Sequence, residues 1–322
     1  MQYNPAMTRL KKFPVTRYIL ENGIMLVVLA VMVGIITALQ PRFIMVDNVF
    51  KVLRTISVRG IAAFGMTFVI ITGGIDLSVG STAALSGIIA ATLMTNNGMG
   101  MIPALLAGLL FGGVCGLGCG ALVANTSTPP FIVTMAADSI FRGIAYVISK
   151  GLTIKCSDDF GVLGNGKMFG SFPSAVFIMI LVMLFMAVLL SRTRFGRNVY
   201  AVGGNREAAR FAGVNIRRVT WTVYGICGLC AGLAGILQAS RLYSGQPSVC
   251  DSLATDAIAG VVIGGASMSG GIGKIGGTII GCLITGVLEC GLNILNVEWY
   301  YQYVMQGAII LLAVLIDLRR RS

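Results

Sequence analysis

The sequence predicts an all-α integral membrane protein of about ten transmembrane helices. Composition, apolar run length and the placement of charge predict it together. Hydrophobic residues make up 56% of the 322 and charged residues 11%, against roughly 25% charged in soluble domains, and the mean hydropathy is +0.87. Such a chain cannot cover a water-facing surface. The net charge of +12 would suggest nucleic acid if it formed one patch with interleaved aromatics, but it does not. Arg9, Lys11, Lys12 and Arg17 precede the first apolar run, seven basic residues fall between Arg192 and Arg218, and Arg319, Arg320 and Arg321 close the chain. These fourteen of the 24 basic residues flank apolar runs, as the positive-inside rule expects of cytoplasmic ends, and nucleic acid is not an expected partner.

A helix crosses about 30 Å of hydrocarbon at 1.5 Å per residue, so a span needs roughly 20 apolar residues. That ruler places helices at 18–39, 57–73, 79–95, 101–124, 130–149, 174–191, 219–241, 251–267, 274–292 and 300–318. The first run, Gly23 to Leu39, is longer than a signal h-region and lacks a small-x-small exit, so a retained span is expected. The ruler leaves tails at 1–17 and 319–322 around one transmembrane domain at 18–318, with both ends and residues 192–218 in the cytoplasm. Lys51, Arg54 and Arg59 would then fall outside, against the charge rule. Val49, Phe50, Val52, Leu53 and Ile56 surround them at helical spacing, which reads as a separate interfacial amphipathic helix.

Glycines recur every four residues at 108, 112, 116 and 120, at 228 and 232, and at 273, 277 and 281. That step puts them on one helix face, where backbones approach closely; hinges are the functional alternative. The segment from Lys150 to Pro173, with Asp158, Asp159 and Lys155, either receives an external partner or is a solvated cap. No two matching halves align around the central polar stretch.

Motifs exclude several chemistries. G-x-x-x-x-G-K-[ST] is absent, since Ile275 follows Gly273 and Lys274 and Met268 stands where the first glycine would. Gly271, Gly273 and Gly276 match G-x-G-x-x-G but lie between apolar helices, which reads as a turn. Cys227 and Cys230 sit inside an apolar run with no second pair, which reads as packing rather than zinc or redox chemistry. There is no histidine and no nucleophile–base spacing, so an enzyme is not expected. Intramembrane charges are costly and usually functional. Asp138 and Arg142, four residues apart, can neutralise each other or line a path; Asp256 and Glu289 stand apart from them. NTSTPP at 125–130 either breaks a helix at a permeation path or is a loop with proline in the next first turn. In TGGIDLSVGS at 72–81, Asp76 and Ser78 can cap the following helix, and a gating role for Asp76 is the sharper alternative.

GGIDLSVGS at 73–81, RTRFGRNVYAVGGNREAARFAGVNIRRV at 192–219 and TDAIAGVVIGGASMSGGIGKIGGTIIG at 255–281 resemble the membrane subunits of bacterial ABC importers for ribose, xylose, galactosides and related monosaccharides. The resemblance runs from about residue 18 to 318 and is specific for the family, not the sugar. It implies a permease of the inner membrane that pairs with a second permease copy, identical or paralogous. A cytoplasmic ABC ATPase would bind ATP and Mg and drive it, a periplasmic sugar-binding protein would deliver the sugar, and this chain itself would bind no cofactor. Glu207, Ala208, Ala209 and Gly213 match the EAA-x-x-x-G pattern of a cytoplasmic coupling helix, here between helices 6 and 7, and Asn205 would cap it. Relatives often carry an acid where this chain has Ala254, so no role for that acid is transferred. Asp76, Asn125, Phe131, Asp138 and Arg142 are candidates for gating or the translocation path. The alternative is an ion-coupled secondary transporter of a small neutral solute.

Overall fold

The computed structural model describes residues 14–168 and 170–319; Arg9, Lys11, Lys12, Arg320 and Arg321 of the expected tails lie outside them. Thirteen α-helices follow in order: α1 (Pro14–Leu39), α2 (Val46–Ile71), α3 (Val79–Thr95), α4 (Met101–Asn125), α5 (Pro130–Ser149), α6 (Gly161–Asn165), α7 (Ser174–Arg192), α8 (Arg194–Gly204), α9 (Arg206–Phe211), α10 (Ile216–Leu242), α11 (Leu253–Ile263), α12 (Ile275–Ile294) and α13 (Trp299–Arg319). Short strands β1 (Ile154–Lys155), β2 (Lys167–Met168), β3 (Phe172–Pro173) and β4 (Ser244–Gly245) and two 3-10 helices, Pro41–Ile44 and Asp158–Phe160, are the other regular elements of the described chain. Among the described residues six helices, α2, α4, α5, α7, α10 and α12, are long and apolar enough to cross a membrane, and α3, α11 and the Gly23–Leu39 part of α1 are shorter apolar helices. The protein is a multi-pass membrane protein.

Two expected elements differ. The interfacial helix around Lys51, Arg54 and Arg59 is not separate, because α2 runs unbroken from Val46 to Ile71. No proline interrupts it, and its 26 residues reach about 39 Å, enough to carry the first turns with Asp47 and Lys51 beyond about 30 Å of hydrocarbon. The run at 251–267 is helical only over Leu253–Ile263, 11 residues or about 16 Å. Glycines stop it: Gly264 is the C-cap, Gly265 has φ +84° and donates to Val262 O, and Ala266 donates to Val261 O, a Schellman closure. Proline stands in the first turn of α5 at Pro130, the loop reading of NTSTPP.

The glycine spacing has the expected packing consequence. A Cβ added at Gly112 would lie 2.7 Å from Gly228 O and 2.9 Å from Gly232 Cα, so α4 and α10 touch backbone to backbone. Gly264 and Gly277 do the same between α11 and α12, where a Cβ on Gly264 would meet Gly277 O at 2.5 Å. Small residues permit this contact where apolar burial supplies little net drive between helices in lipid.

A relation between halves that the sequence conceals is visible in the packing. Helix α10 crosses into the first half and packs on α3 and α4, while α2 crosses into the second half and packs on α11 and α12; α2 and α10 also pack on each other. The buried core follows these crossings, with Phe64, Phe68, Ile61 and Ile70 of α2 and Tyr224, Cys227 and Leu237 of α10 all at 1% exposure or less. At the far end of α10, β1 pairs antiparallel with β4 through Ile154 and Gly245. Gly164 N–H donates to Ser240 Oγ at 2.8 Å, so the segment after Lys150 is folded onto that helix end.

Candidate functional site

The polar stretch between α7 and α10 folds into two short helices, each with its own cap. Thr193 begins α8, its hydroxyl accepting Gly196 N–H at 3.1 Å. Asn205 is the N-cap of α9, with Oδ1 accepting Ala208 N–H at 2.9 Å. Glu207 stands in the first turn, where a carboxylate suits the helix dipole, and Ala209 is buried at 4% exposure. The helix closes at Gly213, φ +81°, whose N–H donates to Arg210 O while Val214 N–H reaches Ala209 O. Asn215 then caps α10 through Arg218 N–H at 3.0 Å. Phe211 is 89% exposed on a helix otherwise made of charged residues and alanine; the sequence reading does not single it out, although one aromatic among charged loop residues is the available signal.

Helix α8 ties this protrusion to the membrane helices. Phe195 stacks on Phe68 of α2 with ring centroids 6.1 Å apart. The Tyr200 hydroxyl donates to Gly273 O at 2.6 Å; burial pushes this phenol above its ordinary value, so it stays a donor at neutral pH. Gly271 N–H donates to Ile71 O at 2.8 Å, and a Cβ on Gly203 would lie 2.6 Å from Gly271 N. The end of α8, the end of α2 and the α11–α12 connection are therefore one packed unit.

The candidates for the translocation path do not form one lining. Asp76, 1% exposed, accepts Ser78 N–H at 3.0 Å and Ser78 Oγ–H at 2.6 Å. Ser78 is the N-cap residue of α3 but makes no side-chain cap bond, because its hydroxyl is turned to Asp76; the expected capping by side-chain oxygens is replaced by an Asx-type turn. Thr134 and Tyr224 hydroxyls both donate to the adjacent Ile75 O, at 3.2 and 3.3 Å, which fixes this connection between α5 and α10.

The expected Asp138–Arg142 pair is not formed. Arg142 pairs with Asp251 at 2.9 Å and donates to Pro247 O and Val249 O at 2.7 and 2.8 Å. A guanidinium fork satisfies two carbonyls and a carboxylate at once, which one carboxylate on its own helix cannot match. Asp138 is left half-buried. Asn125 ends α4 with its amide donating to Ala121 O, and Phe131 is 48% exposed in the first turn of α5, about 16 Å along the helix from Arg142.

A second polar cluster joins residues the sequence left isolated. Arg59 of α2 bonds Asp256 of α11 at 3.0 Å and also Glu289 of α12. Asp256 further accepts from Ser252 at 3.1 Å and from Gln306 of α13. A cavity of about 330 Å³ opens beside them between the four helices. The signal in the sequence was an arginine and two acids in separate apolar runs, a pattern that demands partners. Among the described residues no cluster of histidine, cysteine and acid could hold a metal, and the eight cysteines are free.

Residues 48–314 match the family model described as branched-chain amino acid transport system / permease component. The ribose import permease protein of Escherichia coli K12 is 42% identical over 301 residues, 92% of this chain and 93% of that protein. The ribose import permease protein of Bacillus subtilis 168 is 42% identical over 297 residues, 91% of each chain. The D-allose transport system permease protein of Escherichia coli K12 is 39% identical over 292 residues, 90% of this chain and 89% of that protein. No solved structure matches. The match across most of the chain and the relatives at about this length agree with the helical bundle and its capped polar protrusion: the chain belongs to this family of transport-system permease components.

Proposed function

We infer that this chain is the membrane permease of an ATP-driven importer that carries a ribose-like monosaccharide across the bacterial inner membrane by alternating access. The observation that carries the coupling part is α9, a capped helix with a mostly exposed surface, joined through α8 to the ends of α2 and α12. Its exposed Phe211, Arg206 and Glu207 present an aromatic knob between charges, a surface that fits a protein partner. The partner is a cytoplasmic ABC ATPase, which binds the ATP and Mg, since this chain has no phosphate loop. The relatives named for ribose and allose support the substrate class.

In this reading ten helices lie in the bilayer, α1 through α5, α7 and α10 through α13, the half-length α11 crossing together with the chain that precedes it, and both termini and the α8–α9 segment are in the cytoplasm. A second permease copy completes the pore, and a periplasmic binding protein delivers sugar to the opposite face. Asp76 and Arg142 hold the start of α3 and the 243–252 connection in place beside the path. Nucleotide state shifts the inward- and outward-facing populations because the ATPase holds α9 differently in each.

The test is uptake of radiolabelled D-ribose, D-allose and L-arabinose in cells expressing the chain with the ATPase and binding protein encoded beside it. Uptake of at least one sugar, dependent on the ATPase and insensitive to an ionophore while ATP is high, is expected. Uptake that collapses with the ionophore and needs no second protein would establish the ion-coupled secondary transporter instead.

A further inference from the structure

The cavity beside Arg59 is not lined by any residue of α8 or α9, and its chemistry is specific. Its volume of about 330 Å³ reaches the range of roughly 300–1,000 Å³ typical of small-molecule sites. Four helices build it. Helix α11 begins inside the bilayer, since its 11 residues cover only about half the hydrocarbon, and a half-helix start of this kind is where transporters gather polar groups. The walls combine two kinds of surface. Trp299 and Tyr303 of α13, ring centroids 5.8 Å apart, supply aromatic faces, while Asn293, Gln302, Glu289 and Thr285 supply planar or hydroxyl hydrogen-bonding groups.

Charge narrows the ligand class. Arg59 is already held by Asp256 and Glu289, so an anion would meet two carboxylates and a cation would have to displace the guanidinium. Glu289 is only partly buried, its side chain 33% exposed, which leaves carboxylate lone pairs for hydroxyl donors. Groups that both donate and accept, beside an aromatic face, match the alternating hydroxyl and C–H surfaces of a neutral polyol.

We propose that this cavity is a weak transit site for a monosaccharide within each permease, occupied on the outer side of the gate before the sugar passes inward. It rests on the sugar-importer reading for its substrate and direction. Weakness is part of the role, because a site on a conduction path must release what it binds.

The chain contains two tryptophans, so Trp221→Phe leaves Trp299, which lines the cavity, as the permease's sole indole, and the same complex also carrying Trp299→Phe gives the background emission of the other proteins to subtract. The experiment titrates this variant, as purified permease with its ATPase in nanodiscs and without binding protein, with D-ribose, D-allose and L-arabinose, using trehalose as the bulk-solvent control. A saturable change in Trp299 emission with at least one monosaccharide is expected. Asn293→Ala or Thr285→Val, each removing one lining group, is expected to raise the half-saturation concentration about fivefold, the equivalent of one hydrogen bond. Thermal melting of each variant separates that loss from misfolding, and a variant that fails to fold is replaced by the other. A linear response equal to that of trehalose, or a saturable one unmoved by both folded variants, overturns the transit site. Uptake assays on the same variants keep the two claims apart. ATP-driven uptake without a Trp299 response sinks the transit site alone, whereas a Trp299 response without ATP-driven uptake sinks the importer reading and leaves a polyol site.

Discussion

Replacing Asn205 with alanine removes the oxygen that accepts Ala208 N–H at 2.9 Å and leaves that donor to water. Loss of such a cap costs about 1 kcal/mol. Helix α9 has little else to hold it, because it is six residues long while isolated helices below about 12 residues are marginal, and Ala209 is the residue it buries. A cost of about 1 kcal/mol therefore lowers the ratio of ordered to frayed α9 about fivefold. If the ATPase recognises the ordered helix, its affinity falls by up to the same factor, since a partner's apparent affinity scales with the competent fraction. The assay is binding of the purified ATPase to permease in nanodiscs by interferometry, with ATP-driven sugar uptake measured alongside. Asn205→Asp, which retains a capping oxygen, is expected to stay within about twofold of wild type. Equal affinity for the alanine variant and wild type would show that the cap does not set ATPase recognition, as would equal loss in the alanine and aspartate variants.

Other substitutions test the packing around this element. Gly112→Val places methyl groups against Gly228 O and Gly232 Cα, 2.7 and 2.9 Å from a Cβ, and is expected to cost about 1–3 kcal/mol, read as a lower melting temperature in detergent. Tyr200→Phe removes the 2.6 Å bond to Gly273 O; ATPase binding should persist while uptake per ATP hydrolysed falls, since α8 is loosened from the α11–α12 connection. Arg142→Met strips two carbonyls and Asp251 of their donor and should destabilise more than Asp251→Asn, whose side chain is 71% exposed and whose ion pair is screened by water; melting curves of the two variants check the order.

Much of the bundle was legible because its causes are local. Pro130 in the first turn of α5, Gly108 to Gly120 on one face of α4, and Asn205 with Glu207 ahead of Gly213 each act within a turn or two of chain. The short α11 was less legible: Gly264 and Gly265 could be read as close-packing residues as easily as a stop, and only the Schellman bonds decide. Partner choice was the least legible. Arg142 lies one turn from Asp138 in sequence order yet takes Asp251, which stands on a connection more than a hundred residues later. Arg59, assigned to an interfacial helix by its neighbours' spacing, is drawn into the span by Asp256 and Glu289. Long-range pairing of buried charge is set by which helices cross, and crossings such as α2 into the second half leave no periodic trace in the sequence.

Helix α9 is proposed as the contact through which a separate ATPase drives this permease. Glu207→Arg tests it most directly, because it reverses charge at an exposed first-turn position without touching the cap or the buried Ala209. Co-purification of the ATPase and ATP-driven sugar uptake are measured at matched membrane levels of permease. Normal insertion with both ATPase association and uptake abolished is expected; wild-type association and uptake in this variant would place the ATPase contact elsewhere.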